Sequence, residues 1–133
     1  MKEAEEYDGP SLIIAYSPCI AHGIQGGLMK SVEQGQLATD SGYWPIYIFD
    51  PRKIKEGQNP IKIFGKKPKW EKYEEFLLRE NRYRSLKKLN PEHADFLLEK
   101  NKKDAQYRYR QLQRWAAMDY SDEVEDLKEE NEV

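Results

Sequence analysis

Cysteine occurs once in these 133 residues, as Cys19, and histidine twice, as His22 and His93. A single thiol excludes an internal disulfide framework and points to a reducing compartment. Zinc calls for about four ligands. The pair Cys19-x-x-His22 offers two, and His93 lies far along the chain, so no complete zinc site is expected. Long apolar runs are missing too. The stretch Ser11 to Tyr16 is far shorter than the about 20 residues a membrane-spanning helix needs, so no membrane association is expected. Neither G-x-G-x-x-G nor G-K-[ST] occurs, which removes the usual nucleotide-binding loops. Strong positive charge is also absent. The net charge of -2 gives no general attraction to nucleic acid or an anionic lipid surface.

What is present in quantity is charge of both signs. Charged residues make up 35% of the chain and hydrophobic ones 38%, and the mean hydropathy is -0.96. Compact domains run nearer a quarter charged, so apolar material for a private core is limited. Lysines crowd the middle, at Lys53, Lys55, Lys62, Lys66, Lys67 and Lys69. From Asp119 onward eight acidic residues face one basic residue, Lys128. Such runs read as solvated faces or disordered ends. The acidic, polar start Met1 to Glu6 is unlike a signal peptide. It reads as the end of an exposed helix entering the turn Asp8-Gly9-Pro10, as expected for part of a longer chain.

The order of elements follows from periodicity and turn residues. Ser11 to Tyr16 is continuously rather than alternately apolar, the pattern of a strand covered on both faces in a parallel sheet. Pro18 ends it. After the glycine-rich loop Gly23-Ile24-Gln25-Gly26-Gly27, a helix is predicted over 28–41, closed by Gly42. Tyr43 to Phe49 reads as a second strand, and Pro45 places it at an edge. The turn signals Gly57-Gln58-Asn59-Pro60, Gly65 and Pro68 mark an excursion with a short extended piece at Ile61 to Phe64. Trp70, Tyr73, Phe76/Leu77, Tyr83 and Leu86 fit one helix over 70–89. A second helix opens at Asn90-Pro91, a capping residue before a first-turn proline, and runs to about Met118. At about 1.5 Å per residue it is long for two strands, so the apolar sides of this hairpin require a further surface.

Cys19 is the residue most able to carry chemistry, because it follows the end of a strand, where ligands gather in open α/β sheets. The residues leave open a buried structural thiol, or a nucleophile with His22 as its base. Gly26-Gly27 ahead of a helix could present N–H groups to an anion, or be a plain turn. Tyr43, Trp44, Tyr47 and Phe49 beside lysines read as packing rather than as a base-stacking platform.

The stretch Asp8-Gly9-Pro10-Ser11-Leu12-Ile13-Ile14-Ala15-Tyr16-Ser17-Pro18-Cys19-Ile20-Ala21-His22-Gly23 resembles the C-terminal region of pyruvate:ferredoxin (flavodoxin) oxidoreductases. The resemblance continues through Ser41-Gly42-Tyr43-Trp44-Pro45-Ile46-Tyr47, Asp50-Pro51, Gly57-Gln58-Asn59-Pro60, Glu80-Asn81-Arg82-Tyr83, Leu86, Pro91 and Ala94. It departs at Ile48-Phe49 and at Ile61 to Gly65, both away from Cys19. Those enzymes are much longer. They oxidatively decarboxylate pyruvate with thiamine diphosphate and magnesium, pass electrons through [4Fe-4S] clusters to ferredoxin or flavodoxin, and hand the acetyl group to coenzyme A. The resemblance implies an α/β fold: residues 1–68 as the C-terminal part of a thiamine-diphosphate-binding domain, with one buried parallel strand and one edge strand. Residues 69–118 would be a long helical hairpin, and 119–133 an acidic, disordered tail. It implies Cys19 as the fourth ligand of the cluster nearest the thiamine, with the other three cysteines upstream and no role assigned to His22. It further implies a cytoplasmic homodimer when full length, and an isolated chain that is inactive and free of cofactor. The alternative is a non-catalytic interaction module in which the hairpin docks a partner and Cys19 is a structural thiol.

Overall fold

The structure, a computed structural model, describes residues 1–122 and is a mixed α/β arrangement. The acidic start forms one exposed turn of helix, α1 (Lys2–Glu5), with no buried side chain. Helix α2 (Ser31–Asp40) follows a 3-10 turn and buries Gln34, Leu37 and Ala38 on one face. It stops at Gly42, whose φ of 82° lies in the left-handed region that favours glycine. The chain reverses there, with Trp44 N–H donating to Ala38 O at 3.0 Å and Lys69 N–H to Asp40 O at 2.7 Å.

Strand β1 (Ile46–Phe49) begins directly after Pro45 and pairs antiparallel with β2 (Ile61–Phe64), Ile46 opposite Phe64 and Phe49 opposite Ile61. The extended piece at 61–64 agrees with the sequence reading; the strand read over 43–49, with Pro45 inside it, is shorter, starting only after Pro45, and pairs antiparallel. Between them Asp50 caps a 3-10 helix (Pro51–Glu56) by accepting from Arg52 N–H. Asn59 ties this hairpin to the far end of the chain. Its Nδ2 donates to Trp115 O at 2.7 Å and Met118 O at 2.9 Å.

Three helices complete the fold: α3 (Tyr73–Arg79), α4 (Asn81–Leu89) and α5 (Pro91–Trp115). Asn90 caps α5 by accepting from His93 N–H at 3.3 Å, with Pro91 in the first turn. The core joins both halves of the chain. Leu37 and Ala38 meet Tyr73, Phe76, Leu77 and Ala105, and Tyr16, Tyr43, Trp44, Trp70, Tyr83 and Leu98 close around them. Aromatic contacts run through it, with Tyr43 and Phe76 ring centres 4.4 Å apart and Trp70 edge-on to Tyr109 at 6.0 Å. Tyr43 and Trp44 are therefore packing residues, while Tyr47 and Phe49 lie exposed on β1.

Two sequence expectations are corrected. Residues 11–16 do not form a buried parallel strand. Leu12, Ile13 and Ile14 are 84%, 56% and 69% exposed, and among the described residues this backbone finds no strand to pair with. A strand is made by its neighbours, and an apolar run without them stays an extended, uncovered segment. The helix predicted over 70–89 is divided. Glu80 adopts φ -78°, ψ 121°, an extended conformation that ends α3 and starts α4. The acidic tail expected over 119–133 falls largely on 123–133, outside the described residues.

Candidate functional site

Cys19 sits on the turn that follows the extended segment. Gly23 N–H donates to Cys19 O at 2.8 Å and closes the turn, while buried Pro18 fixes its entry. The thiol is partly exposed, and its Sγ lies 3.2 Å from His22 Nδ1. The His22 backbone N–H, then the His22 imidazole, then the Ala21 N–H favour the thiolate and draw the pKa down to about 7. An accessible sulfur drawn toward its thiolate form is a soft ligand. It fits one position of an iron–sulfur cage, which takes four thiolates.

The other sequence candidates do not converge on it. His93 lies in the first turn of α5, stacked against Phe96 with ring centres 6.3 Å apart. Among the described residues no group of three or more His, Cys, Asp or Glu side chains could hold a metal ion. Gly26 lines a shallow depression of about 260 Å³ with Gln25, Lys30, Glu33 and Arg79. Its charges already pair, Lys30 with Glu33 at 2.6 Å and Arg79 with Glu75 at 3.3 Å, so no cation is left uncommitted for an anion. No helix of the described residues is long and apolar enough to cross a membrane.

Glu80 is the group the sequence reading missed. Its side chain is fully buried. Oε1 accepts from the Tyr16 hydroxyl and from Gln34 Nε2 at 3.2 Å. Oε2 faces Arg82 Nε at 3.4 Å without a formal hydrogen bond, and the Arg82 guanidinium lies over the Tyr83 ring at 4.9 Å. Burial first, and then the hydrogen bond to Glu80, push the Tyr16 hydroxyl well above the ordinary phenol range. A signal was present: Glu80 falls three and four residues after Leu77 and Phe76, on the apolar face of the helical period. Gln34 likewise precedes Leu37 and Ala38 on theirs.

No family model matches the chain. It is 50% identical over 95 residues, 71% of its length, to the mitochondrial pyruvate dehydrogenase (NADP(+)) of Euglena gracilis. It is 46% identical over 114 residues, 86% of its length, to the pyruvate:ferredoxin oxidoreductase of Moorella thermoacetica. It is 40% identical over 114 residues to the pyruvate-flavodoxin oxidoreductase of Klebsiella pneumoniae. The chain spans 5% of the first of these relatives and 10% of each of the other two.

Proposed function

Because this chain is homologous to a segment of the pyruvate:ferredoxin and pyruvate-flavodoxin oxidoreductases, we propose that it is the C-terminal portion of a 2-oxoacid oxidoreductase of that kind, with pyruvate as substrate. The observation that carries the reading is the Cys19 thiol: partly exposed, leaning to thiolate, and seated where an uncovered apolar segment ends. Cys19 would give one thiolate to a [4Fe-4S] cluster whose other ligands lie elsewhere in the enzyme. A cluster bound there would carry single electrons away from the thiamine diphosphate and its magnesium ion, which the parent enzyme holds upstream. This chain's residues hold one sulfur at a fixed place, favour its ionised form with the His22 and Ala21 N–H groups, and leave its outer side open.

Residues 1–68 would complete the thiamine-binding domain, and the exposed run Leu12-Ile13-Ile14 supports that, since its bare backbone suits insertion beside strands of a larger sheet. Residues 69–118 form the hairpin part in this scheme. The isolated chain is inactive, and the full enzyme a cytoplasmic homodimer that takes pyruvate and coenzyme A. The relatives' names cite NADP(+), ferredoxin and flavodoxin, at 50%, 46% and 40% identity to this segment. A segment shared across three acceptors serves electron entry rather than the choice of acceptor, so the acceptor, ferredoxin or flavodoxin, is selected elsewhere.

The second reading is a docking module built on the hairpin, favoured by exposed Phe96, Tyr107 and Trp115 on α5. It treats Cys19 as structural, which the thiol's exposure argues against. Replacing Cys19→Ala in the full-length parent enzyme tests the choice. Iron content and the EPR signal of reduced clusters fall by one cluster while bound thiamine diphosphate stays. A full complement of iron in the variant overturns the ligand assignment.

A further inference from the structure

The buried Glu80 has no part in the reading above, and its surroundings point to one. An uninterrupted helix would join Asn81 N–H to Leu77 O and Arg79 O to Tyr83 N–H. The extended backbone at Glu80 releases these groups toward the Cys19 turn instead. Arg79 O accepts from Gln25 N–H at 2.8 Å, and Asn81 N–H donates to Gly23 O at 3.2 Å. Ile24 and Glu80 form an antiparallel bridge. Asn81 Nδ2 adds a bond to His22 O at 2.8 Å. These contacts hold the chain on the C-terminal side of Cys19. On its N-terminal side the Glu80 carboxylate takes the Tyr16 hydroxyl. Both limbs of the turn are thus tied to the three residues Arg79 to Asn81.

We propose that the helix break at Glu80 is a latch, and that Glu80 is a positioning residue that fixes the Cys19 turn from behind without touching the sulfur. A buried carboxylate carries a desolvation cost that an apolar side chain at the same place avoids. Its presence on the apolar face is better explained by what it positions than by stability. Gln34 supports it by donating to both Glu80 Oε1 and Phe76 O. The geometry of the latch stands by itself; its use, to aim a cluster ligand, rests on the reading of Cys19 given above.

Cys19 is the only cysteine, so a nitroxide attached to it in the 133-residue chain reports on this turn alone. The unsubstituted chain gives a motionally restricted EPR lineshape. Tyr16→Phe, which removes one hydroxyl, and Glu80→Gln each raise the mobile fraction severalfold, and the double variant raises it no further than Glu80→Gln does. Leu112→Ala removes buried packing on α5, which carries none of the latch contacts, and so leaves the lineshape restricted. A lineshape that stays restricted in Tyr16→Phe, that loosens equally in Leu112→Ala, or that shows additive effects in the double variant overturns the proposal. If Glu80→Gln does not fold, Tyr16→Phe against Leu112→Ala decides alone. The label needs no iron, so the two readings separate. A loosened label beside a Cys19→Ala parent that keeps its iron retains the latch and removes the ligand; a rigid label beside lost iron does the reverse.

Discussion

Replacing Gln34 by leucine tests the buried polar cluster by its energy. Helix α3 ends early: Glu80 N–H bonds Leu77 O at 3.0 Å, one residue short of the α-helical partner. The Phe76 carbonyl therefore loses its α-helical donor, the Glu80 N–H. Gln34 Nε2, reaching across from α2, supplies one at 3.1 Å and also bonds Glu80 Oε1 at 3.2 Å. Leucine is close to glutamine in volume and removes both bonds. An unsatisfied buried carbonyl costs about 1–3 kcal/mol, and a lost bond to a charged group about 1.5–3 kcal/mol. Added apolar burial returns about 1–2 kcal/mol. These terms leave about 3 kcal/mol at their centre. Gln34 Oε1 is itself buried without a hydrogen-bond partner, and its removal returns about 1 kcal/mol. The net loss is about 2 kcal/mol, a large share of the roughly 5–15 kcal/mol typical of a folded domain. With a urea slope of about 2 kcal/mol per molar, the unfolding midpoint drops by about 1 M. The slope itself stays unchanged, because the same surface is exposed. A Gln34→Leu midpoint within experimental error of the parent would refute the reasoning, since Phe76 O and Glu80 would then be satisfied by other means.

Three further outcomes follow from the same coordinates. Gly42→Ala builds a Cβ at φ +82°, 2.7 Å from the Trp70 ring and 2.8 Å from Pro68. Left-handed strain and overpacking together cost about 2–5 kcal/mol, read as a fall in thermal midpoint, and an unchanged midpoint would contradict the close approach. Burial raises the pKa of Tyr16, Tyr73 and Tyr83, the last to about 12. The folded chain then holds phenol protons that the unfolded chain releases near pH about 10. Their stabilisation is full below that pH and is lost as pH climbs through the folded values. Urea midpoints stay level on this account to about pH 10 and fall above it; a level midpoint at higher pH would exclude it. Alkylation of Cys19 in the isolated chain reaches half its maximal rate near pH about 7. His22→Ala moves that point upward only in part, because the two backbone donors remain. A full return to the ordinary thiol value would assign the whole effect to the imidazole.

Local chemistry was legible in the sequence wherever one residue type dictates one backbone geometry. Gly42 ends α2 and Asn90-Pro91 opens α5. Each follows from a steric or capping rule that needs no knowledge of the rest of the fold. The break at Glu80 was not legible by periodicity. One extended residue between two helices leaves the spacing of Phe76, Leu77, Tyr83 and Leu86 nearly in register, so an apolar count runs straight through it. An acid at an apolar position was the better clue, because a buried carboxylate must find donors, and the extended backbone brings Tyr16 and Gln34 to it. The position of Cys19 after the apolar segment was readable from Pro18. The N–H groups that bias its ionisation come from the turn geometry, which residue identities alone do not specify.

Tyr16 divides the N-terminal segment into two regimes. On one side Leu12, Ile13 and Ile14 stand exposed, with no backbone hydrogen bond to them among the described residues. On the other, Tyr16 contacts Tyr43, Trp44 and Phe76, and the chain is held continuously to Gln25. Exposed apolar residues in an extended segment carry a standing cost in water, and a bare strand edge is a site for pairing. The Cys19 turn has only Ile20 as an exposed large apolar residue, and its backbone is anchored on Arg79 and Asn81, on either side of the break at Glu80. If the segment before Tyr16 enters a larger sheet, that docking need not shape the turn; it only has to bring other ligands to a sulfur already in place. Truncating residues 1–14 should therefore leave a nitroxide on Cys19 as restricted as in the full chain. Loosening on truncation would mean that the apolar segment, rather than the Glu80 latch, holds the turn.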